Sequence, residues 1–191
     1  KAGMVSGLVY IKKGFENFVR KPLVYAQPDK KDFTTSQLYD FTHQNEWTFE
    51  NLSSKNHVRG PIKSYRKELF LKMNGLRAVL GWDNIDVMLC KMHGFETVTL
   101  QELWVKHLRP TAYKYNSQKA QKLGEYFYNI GLNFPLAAIS SAKSSWKNKS
   151  VSEFFITMKS FLKKKNPRVL SQEEIAFIRN LRWKEIKRKL M

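Results

Sequence analysis

The sequence from Asn116 onward has the spacing of consecutive helices, and this feature restricts the fold most. A stripe of apolar residues ends at Gly131, and Pro135 opens the next predicted helix, which runs to about Ala142. The stripe consists of Ala120, Leu123, Phe127 and Ile130. Because glycine commonly ends a helix and proline suits its first turn, the pattern predicts a helical tail over residues 112–191.

Capping signals predict two further helices in this tail. Ser150 precedes Glu153, and Ser171 precedes Glu174, by the three-residue spacing at which the two side chains cap a helix start reciprocally. Each pair stands before an apolar run, FFITMKSFL in the first case and IAFIRNLRW in the second. The spacing therefore predicts one helix after each serine.

Residues 1–111 carry β-prone segments with short helices between them. GMVSGLVYIKK predicts a strand, and a second strand is predicted over residues 57–65. KELFLKMNG predicts a short helix that ends at Gly75, and GWDNIDVMLCKMHG predicts a helix that ends at Gly94. ETVTL and LWVKHL have the pattern of two short strands. The chain is therefore predicted to be an α/β protein.

Residues 20–56 have no clear periodicity and are predicted to form a long loop. Aromatic residues occur in it at Phe33, Tyr39, Phe41, Trp47 and Phe49. This many aromatic side chains favours an ordered excursion that packs or binds over a flexible linker. We therefore expect two parts, residues 1–111 with this excursion and a basic helical tail after them.

The formal charge of +18 indicates an anionic partner. Between Ser141 and Met191 there are 14 Lys and Arg residues against 4 Glu residues, so a net +10 lies in the last 51 residues. Nucleic acid, anionic lipid and a phosphorylated small substrate are all compatible with this charge. A basic helix face that only contacts water is compatible with it as well.

Motifs of several enzyme classes are missing from the sequence. The four histidines, at positions 43, 57, 93 and 107, include no His-x-x-x-His pair. Cys90 is the only cysteine, which excludes a thiolate zinc site and an internal disulfide and suits a reducing compartment. There is no Gly-x-Gly-x-x-Gly, no phosphate-loop signature and no Gly-x-Ser-x-Gly elbow. No run of roughly 20 apolar residues is long enough to span a bilayer.

An acidic pair stands at the start of the predicted helix in residues 80–111. Asp83 and Asp86 are three residues apart, so they lie on neighbouring faces of the helix. In one interpretation Asp83 caps the helix and Asp86 stabilises its positive first turn. In the other, Asp83 is a carboxylate that faces a cleft, is kept ionised by the helix dipole and accepts a proton. The spacing leaves both interpretations open.

The order of these segments resembles the second half of family-2 glycosyltransferases, which have the Rossmann-like GT-A fold. GPIKSYRKELFLKMNGL is similar to the strand and turn beside the acceptor, and GWDNID followed by HLRPT is similar to a bacterial subgroup. The acidic motif of the family usually reads Glu-Asp-x-Asp. Here Trp82 replaces the Glu, Ile85 stands at the second acidic position, and Asp86 comes one residue later. The resemblance covers residues 57–191 and, as a preceding core strand, residues 1–13.

This resemblance implies an inverting enzyme of hexosyltransferase type that acts in cell-surface polysaccharide synthesis. It implies a nucleotide-sugar donor and a glycan or lipid-linked acceptor, with Asp83 as the catalytic base. His107 would help to hold the metal-bound diphosphate, and Arg109 would pair with a phosphate. The residues implied at the acceptor are Gly60, Tyr65, Arg66, Trp82 and Asp86. A Mg²⁺ or Mn²⁺ ion would be held by an Asp-x-Asp motif, which this sequence lacks, so we expect a fragment without the donor-binding half.

The tail resembles the amphipathic helices that rest these enzymes on a membrane. Its apolar area would come from Phe154, Phe155, Ile156, Met158, Phe161 and Leu162. Its charge would come from Lys159, Lys163, Lys164, Lys165 and Arg168, at about 1 kcal/mol for each charge near an anionic surface. The resemblance implies a cytoplasmic enzyme peripheral to the inner membrane. The alternative is a helix that packs on its own domain with its lysines in water.

Two other functions stay open at this point. A basic nucleic-acid-binding module would fit the pI of 10.0 and the interleaved Tyr113, Tyr115, Tyr126 and Tyr128. The sequence has no recognised nucleic-acid motif, and its charge clusters beside an apolar stripe, so we expect no nucleic-acid partner. A non-catalytic scaffold that docks on a membrane is the second alternative, and it would tolerate replacement of Asp83.

Overall fold

The fold is mixed α/β and divides into two compact units. The computed structural model describes residues 1–12, 47–49, 57–107, 118–163 and 166–190, and all structural statements concern these residues. The first unit comprises residues 1–5, 64–98 and 114–191, and the second comprises residues 6–63 and 99–113. The predicted excursion over residues 20–56 lies outside the described residues except for 47–49.

Four strands form one sheet in which the first strand pairs with each of the others. They are β1 (Ala2–Lys12), β2 (Trp47–Phe49), β3 (Lys63–Tyr65) and β4 (Glu96–His107). β1 and β2 are antiparallel, with Tyr10 opposite Phe49. The opening segment, rich in Val, Leu, Tyr and Ile, was predicted as a strand, and this prediction is confirmed.

The other strand predictions need correction. Only Lys63–Tyr65 of the predicted strand over residues 57–65 is a strand, because Pro61 has no N–H to donate and residues 60–61 turn. ETVTL and LWVKHL are one continuous strand, β4, instead of two. The polar Gln101 and Glu102 between them are exposed, and an exposed polar side chain does not interrupt main-chain pairing.

The described part of the chain contains six helices, all of them in the first unit. They are α1 (Lys67–Lys72), α2 (Trp82–Met92), α3 (Lys119–Asn129), α4 (Phe134–Lys147), α5 (Val151–Lys163) and α6 (Gln172–Leu190). The first four end alike, since the residue after the cap has positive φ and main-chain N–H groups close back onto the last turn. These residues are Asn74, Gly94, Gly131 and Lys149. The predicted glycine stops at Gly94 and Gly131 are confirmed, whereas the stop of α1 falls at Asn74, one residue before the predicted Gly75.

Two details of the predicted helices differ. α4 runs past Ala142 to Lys147, and its serines at 141 and 145 are buried. The capping box at Ser171 and Glu174 is confirmed, with both reciprocal bonds formed, at 2.7 and 3.1 Å. At the start of α5, by contrast, Glu153 accepts a hydrogen bond from Asn148 Nδ2, at 2.6 Å.

α5 packs against α3 and α4, and this contact forms much of the helical core. Gly124 lets α3 and α5 approach closely, because a Cβ there would lie 2.2 Å from the main-chain oxygen of Thr157. The Thr157 hydroxyl donates to the main-chain oxygen of Ala120 at 3.1 Å. Phe127 of α3 and Phe161 of α5 are buried. The helices are therefore held by backbone proximity as well as by apolar side chains.

Arg77 fixes the connection between α1 and α2. Its Nη1 donates to the main-chain oxygens of Met73, Asn74 and Gly75, which lie at the end of α1. Its Nη2 forms an ion pair with Glu174 of the α6 capping box, at 2.7 Å. The connection that leads into α2 is thereby tied to the start of α6.

Candidate functional site at the start of α2

Asp83 lies in the first turn of α2, where its side chain is half-buried. The interpretation that Asp83 caps this helix is wrong, because the cap residue is Gly81 and no side chain caps the helix start. Gly81 has φ of 95°, and a Cβ there would lie 2.4 Å from Cδ2 of Tyr126. Only glycine satisfies both conditions without strain, so this position sets where α2 begins and how Asp83 is presented.

Asp86 lies one turn further along α2 and is directed into the protein, with 3% of its surface exposed. Its carboxylate accepts a hydrogen bond from the Tyr65 hydroxyl at the end of β3. A buried carboxylate is costly unless it is hydrogen-bonded, so Tyr65 stabilises this arrangement. Burial raises the pKa of Tyr65 well above its ordinary value, and the hydrogen bond to Asp86 and the charges of Asp86 and Asp83 raise it further.

Tyr126 of α3 lies close enough to Asp83 to feel its charge. Burial raises the pKa of Tyr126, Arg182 of α6 opposes the shift, and the charges of Asp83 and Glu185 add to it. Arg182 and Glu185 form an ion pair at 3.0 Å. We call these six residues the α2 cluster: Tyr65, Asp83, Asp86, Tyr126, Arg182 and Glu185.

The α2 cluster brings two carboxylates of α2 together with two tyrosines that keep their protons. Because each tyrosine pKa is raised, neither hydroxyl is a base near neutral pH. Asp86 is enclosed and bound to Tyr65, whereas Asp83 is half-buried at a helix N-terminus, where the dipole favours a negative charge. Of the two carboxylates of α2, Asp83 is therefore the one with the larger exposed surface.

Sequence reasoning did not assign Tyr126, Arg182 or Glu185 to this site. They lie on α3 and α6, far along the chain from α2. Tyr126 packs beside Gly81 at the start of α2, and Arg182 and Glu185 lie on α6, which contacts α2. The spacing of Arg182 and Glu185 predicts only a local pair on the surface of one helix. The sequence carries no signal of this proximity, because it arises from tertiary packing.

Two other predicted acceptor residues belong to the first unit. Trp82 is the first residue of α2 and is half-buried. Arg66 precedes α1 and is exposed, and its Nε donates to the main-chain oxygen of Ala2 at 3.0 Å. Arg66 therefore joins the start of α1 to β1, and its remaining guanidinium surface is exposed.

The remaining residues that the resemblance assigned to the acceptor and diphosphate belong to the second unit or lie outside the described residues. Gly60 is half-buried in a turn before β3, and His107 is the last residue of β4 and also half-buried. Arg109 lies outside the described residues. The roles of these three residues stay predictions.

The predicted membrane stripe on α5 is divided between two sides of the helix. Met158 and Phe161 are buried, whereas Phe155, Ile156 and Leu162 are exposed beside the exposed Lys159 and Lys163. Lys164 and Lys165 lie outside the described residues. The helix thus uses one side for the core and keeps a second apolar side, with lysines, in contact with water.

α4 has a similar outer side, which sequence reasoning missed. Ile139 and Trp146 are seven residues apart, so they share one face, and Trp146 is 88% exposed. Lys143 and Lys147 are exposed on the same helix. The seven-residue spacing is the signal that could have revealed this face. We call the two exposed sides the outer faces of α4 and α5.

Arg168 is not on either outer face. Its Nη1 and Nη2 donate to the main-chain oxygens of Gly131 and Leu132 at 3.3 and 2.9 Å, and its guanidinium lies 4.7 Å from the ring centre of Tyr128. The predicted role of Arg168 as a membrane contact therefore competes with a role in holding the junction of α3 and α4.

Neither a metal-binding cluster nor a membrane-spanning helix occurs among the described residues. No group of three or more His, Cys, Asp and Glu side chains is arranged to hold a metal ion there. None of the described helices has both the length and the apolar character to cross a bilayer. Two cavities lined by described residues, of about 300 and 550 Å³, include Leu80 and Arg77 respectively in their linings, and Asp83 lines neither of these two.

No protein-family model matches the sequence, and comparisons with curated proteins and with solved structures likewise give no match.

Proposed function

We propose that this chain is the acceptor-side part of an inverting glycosyltransferase of the GT-A type that works at an anionic membrane surface. The observation that carries the proposal is the half-buried Asp83 in the first turn of α2, flanked by two protonated tyrosines and backed by a fixed Asp86. The resemblance of GWDNID and HLRPT to the bacterial glycosyltransferase subgroup supports the same role.

In the proposed reaction, the Asp83 carboxylate accepts the proton of an acceptor hydroxyl. The acceptor oxygen attacks the anomeric carbon of a nucleotide sugar on the face opposite the nucleotide, and the bond from that carbon to the diphosphate breaks. The diphosphate leaves with the electron pair, and the new glycosidic bond has inverted configuration. A general base positioned in this way contributes roughly 10²- to 10⁴-fold to a rate.

The neighbours of Asp83 support its role by fixing it. The hydrogen bond from Tyr65 to Asp86 holds the second turn of α2, and Gly81 fixes its start. Trp82, next to the base, is proposed to stack on a sugar face of the acceptor. Arg66 and Gly60 are proposed as acceptor residues on the resemblance alone. Stacking suits an indole ring because it offers a flat apolar surface.

A divalent metal ion would neutralise charge that develops on the departing diphosphate. The described residues contain no group of three or more side chains that could hold such an ion. We therefore assign no step of the reaction to a metal in this chain. His107 and Arg109 are proposed to contact the diphosphate on the resemblance alone.

The outer faces of α4 and α5 support the membrane part of the proposal. Trp146, Phe155 and Leu162 are exposed apolar side chains that alternate with exposed lysines. Such faces insert apolar groups at the headgroup boundary while their cations contact anionic lipids. On this basis we propose that the protein is peripheral to the inner face of a membrane and that its acceptor is lipid-linked.

The replacement Asp83→Asn in the full-length protein tests the catalytic role. We expect sugar transfer to fall by about 10²- to 10⁴-fold with donor binding unchanged, since the amide cannot accept the proton. Transfer is measured with labelled nucleotide sugars, and donor binding is measured by calorimetry.

Glu173→Gln is the matched control for Asp83→Asn. Glu173 is also a carboxylate in the first turn of a helix, α6, and it is exposed. This variant should transfer sugar at the normal rate. Equal rates in Asp83→Asn and Glu173→Gln would end the assignment of Asp83 as the base.

Binding experiments separate the membrane proposal from the nucleic-acid alternative. The chain is titrated with anionic vesicles and with duplex DNA, each at several salt concentrations. We expect binding to vesicles that falls when Trp146 is replaced by Ser. Tight duplex binding with a steep salt dependence, and none to vesicles, would favour the nucleic-acid module instead.

A further inference from the structure

Arg168 and Arg179 converge on one main-chain oxygen at the end of α3. Arg179 Nε donates to the oxygen of Gly131 at 2.8 Å, and Arg168 Nη1 donates to the same oxygen at 3.3 Å. Two guanidinium groups that share one acceptor atom must lie close to each other. The site is independent of the α2 cluster, because neither arginine belongs to it.

Within the part of the chain that the structure describes, neither Arg168 nor Arg179 forms an ion pair with a carboxylate. Among the described residues, every interaction of Arg168 is with a main-chain oxygen or the Tyr128 ring, and Arg179 bonds only to Gly131. The end of a helix carries a negative partial charge of about half an elementary charge, which is too small to balance two cations. The pKa of Arg179 is lowered, first by burial and then by the charge of Arg168. The two guanidinium groups therefore form a region of excess positive charge.

The pair is held in a fixed geometry before any ligand arrives. Arg168 bonds to both Gly131 and Leu132, and its guanidinium is stacked on Tyr128. Gly131 itself is fixed by the turn that closes α3, since its N–H donates to the main-chain oxygen of Tyr128 at 3.0 Å. Preorganised guanidinium groups bind an anion at a smaller entropic cost than mobile side chains do.

A cavity gives access to one member of the pair. A cavity of about 300 Å³ is lined by Arg168 together with Glu125, Tyr128, Asn129 and Asn166, and the Glu125 carboxylate is paired with Lys122 of the same helix. Its volume is large enough for a phosphate group. The terminal nitrogens of the half-buried Arg179 have no hydrogen-bond partner among the described residues and can serve as further donors.

We propose that Arg168 and Arg179 form a binding site for a phosphate group. Paired arginines suit this ligand because each planar guanidinium can offer two parallel N–H donors to phosphate oxygens. The bound anion would neutralise the two charges that meet at Gly131. The phosphate can belong to a soluble phosphorylated molecule or to a lipid headgroup, since both present the same oxygens.

Calorimetric titration of the whole chain with inorganic phosphate, at constant ionic strength, tests the site. We expect saturable binding by the unaltered chain and an affinity about tenfold lower in Arg179→Gln, which corresponds to the loss of roughly one charged hydrogen bond. The matched control is Arg188→Gln, which removes one exposed charge from the same helix and should change the affinity less than about twofold. Equal losses in both variants, or no saturable binding, would overturn the proposal.

Circular dichroism shows whether Arg179→Gln folds. If it does not, Arg179→Lys takes its place, because it keeps the charge but loses the planar fork. We again expect weaker phosphate binding, and unchanged affinity in a folded Arg179→Lys would contradict a site built on paired guanidinium groups.

A second arm identifies the source of the phosphate. Vesicles that contain phosphatidic acid are compared with vesicles of phosphatidylcholine alone, with and without competing inorganic phosphate. A lipid source predicts that Arg179→Gln weakens binding to phosphatidic acid and that phosphate competes with it. A soluble source predicts that the variant loses phosphate binding but keeps its vesicle binding. If Arg179→Gln lost neither phosphate binding nor binding to phosphatidic acid vesicles, the proposal would be wrong.

Discussion

The start of α2 and the outer face of α5 depart from ordinary burial in opposite directions. Asp86 is a carboxylate with 3% of its surface exposed, whereas Phe155 is an aromatic residue with 64% exposed. Carboxylates are rarely buried unless they are paired, and exposed apolar faces commonly mark contact surfaces. At α2 the burial of the Asp86 carboxylate is compensated within the chain, because the Tyr65 hydroxyl donates a hydrogen bond to it. On α5 the Phe155 ring contacts the Phe154 ring, at 5.4 Å between ring centres, and most of its surface stays in contact with water.

Replacing the two phenylalanines of α5 gives the largest expected contrast. Phe161→Ala should lower the free energy of unfolding by about 3–5 kcal/mol, because its ring is buried near Tyr128. Phe155→Ala should change it by less than about 0.5 kcal/mol but weaken binding to anionic vesicles by roughly tenfold. Urea denaturation and vesicle sedimentation measure the two effects. Similar losses of stability would show that the two sides of α5 do not differ as described.

Two glycines with positive φ test how tightly the start of α2 is packed. Gly81→Ala should cost about 3 kcal/mol or more, because the new methyl group would overlap the Tyr126 ring in addition to straining the backbone. Gly94→Ala, at the other end of the helix, has nothing within 4 Å of its Cβ and should cost about 1 kcal/mol. Denaturation midpoints of the two variants give the comparison. Equal costs would mean that the Tyr126 ring moves aside freely.

Tyr65→Phe measures how much the hydrogen bond from the Tyr65 hydroxyl stabilises the buried Asp86 carboxylate. Removing the hydroxyl leaves a buried charge without this donor, so we expect a loss of about 2 kcal/mol. The control is Tyr128→Phe, whose hydroxyl donates to the main-chain oxygen of the exposed Asn166, and which should lose less than about 1 kcal/mol. Thermal or urea unfolding of both variants measures the difference. A smaller loss at Tyr65 than at Tyr128 would contradict the account of Asp86.

Alkaline pH gives the smallest predicted effect. The pKa of Tyr65 is raised in the folded chain, so the unfolded chain releases this proton first, at about pH 10. The stabilisation is complete below that pH and is lost as pH rises above it. One proton changes the free energy of unfolding by at most roughly 1.4 kcal/mol per pH unit. Because Tyr65 is only half-buried, its contribution to this slope should be smaller. The stability of Tyr65→Phe should therefore fall less steeply between pH 10 and 11, and equal slopes would contradict this.

The sequence predicted the helices better than the sheet. The glycine stops at 94 and 131 and the capping box at Ser171 are local signals, and each is confirmed, while the stop predicted at Gly75 is displaced by one residue to Asn74. The merging of two predicted strands into β4 was not predictable in the same way, because pairing with β1 is decided by a distant segment. Local chemistry sets the ends of helices, whereas partners set the length of strands.

For the candidate site, the sequence identified the carboxylates but not their surroundings. The spacing of Asp83 and Asp86 placed both near the start of α2, yet which of them is enclosed depends on Tyr65. Arg182 and Glu185 reach the site only through the packing of α6. A periodic pattern gives the face of a helix, and it carries no information on which distant residue will lie against that face.

Glu174 has a consequence for how the first unit folds. One of its oxygens completes the α6 capping box and the other pairs with Arg77, which closes the end of α1. One carboxylate thus joins two helix ends that are about a hundred positions apart in the chain. Neither end can fray without weakening the other, so the two distant segments should melt together as one cooperative unit.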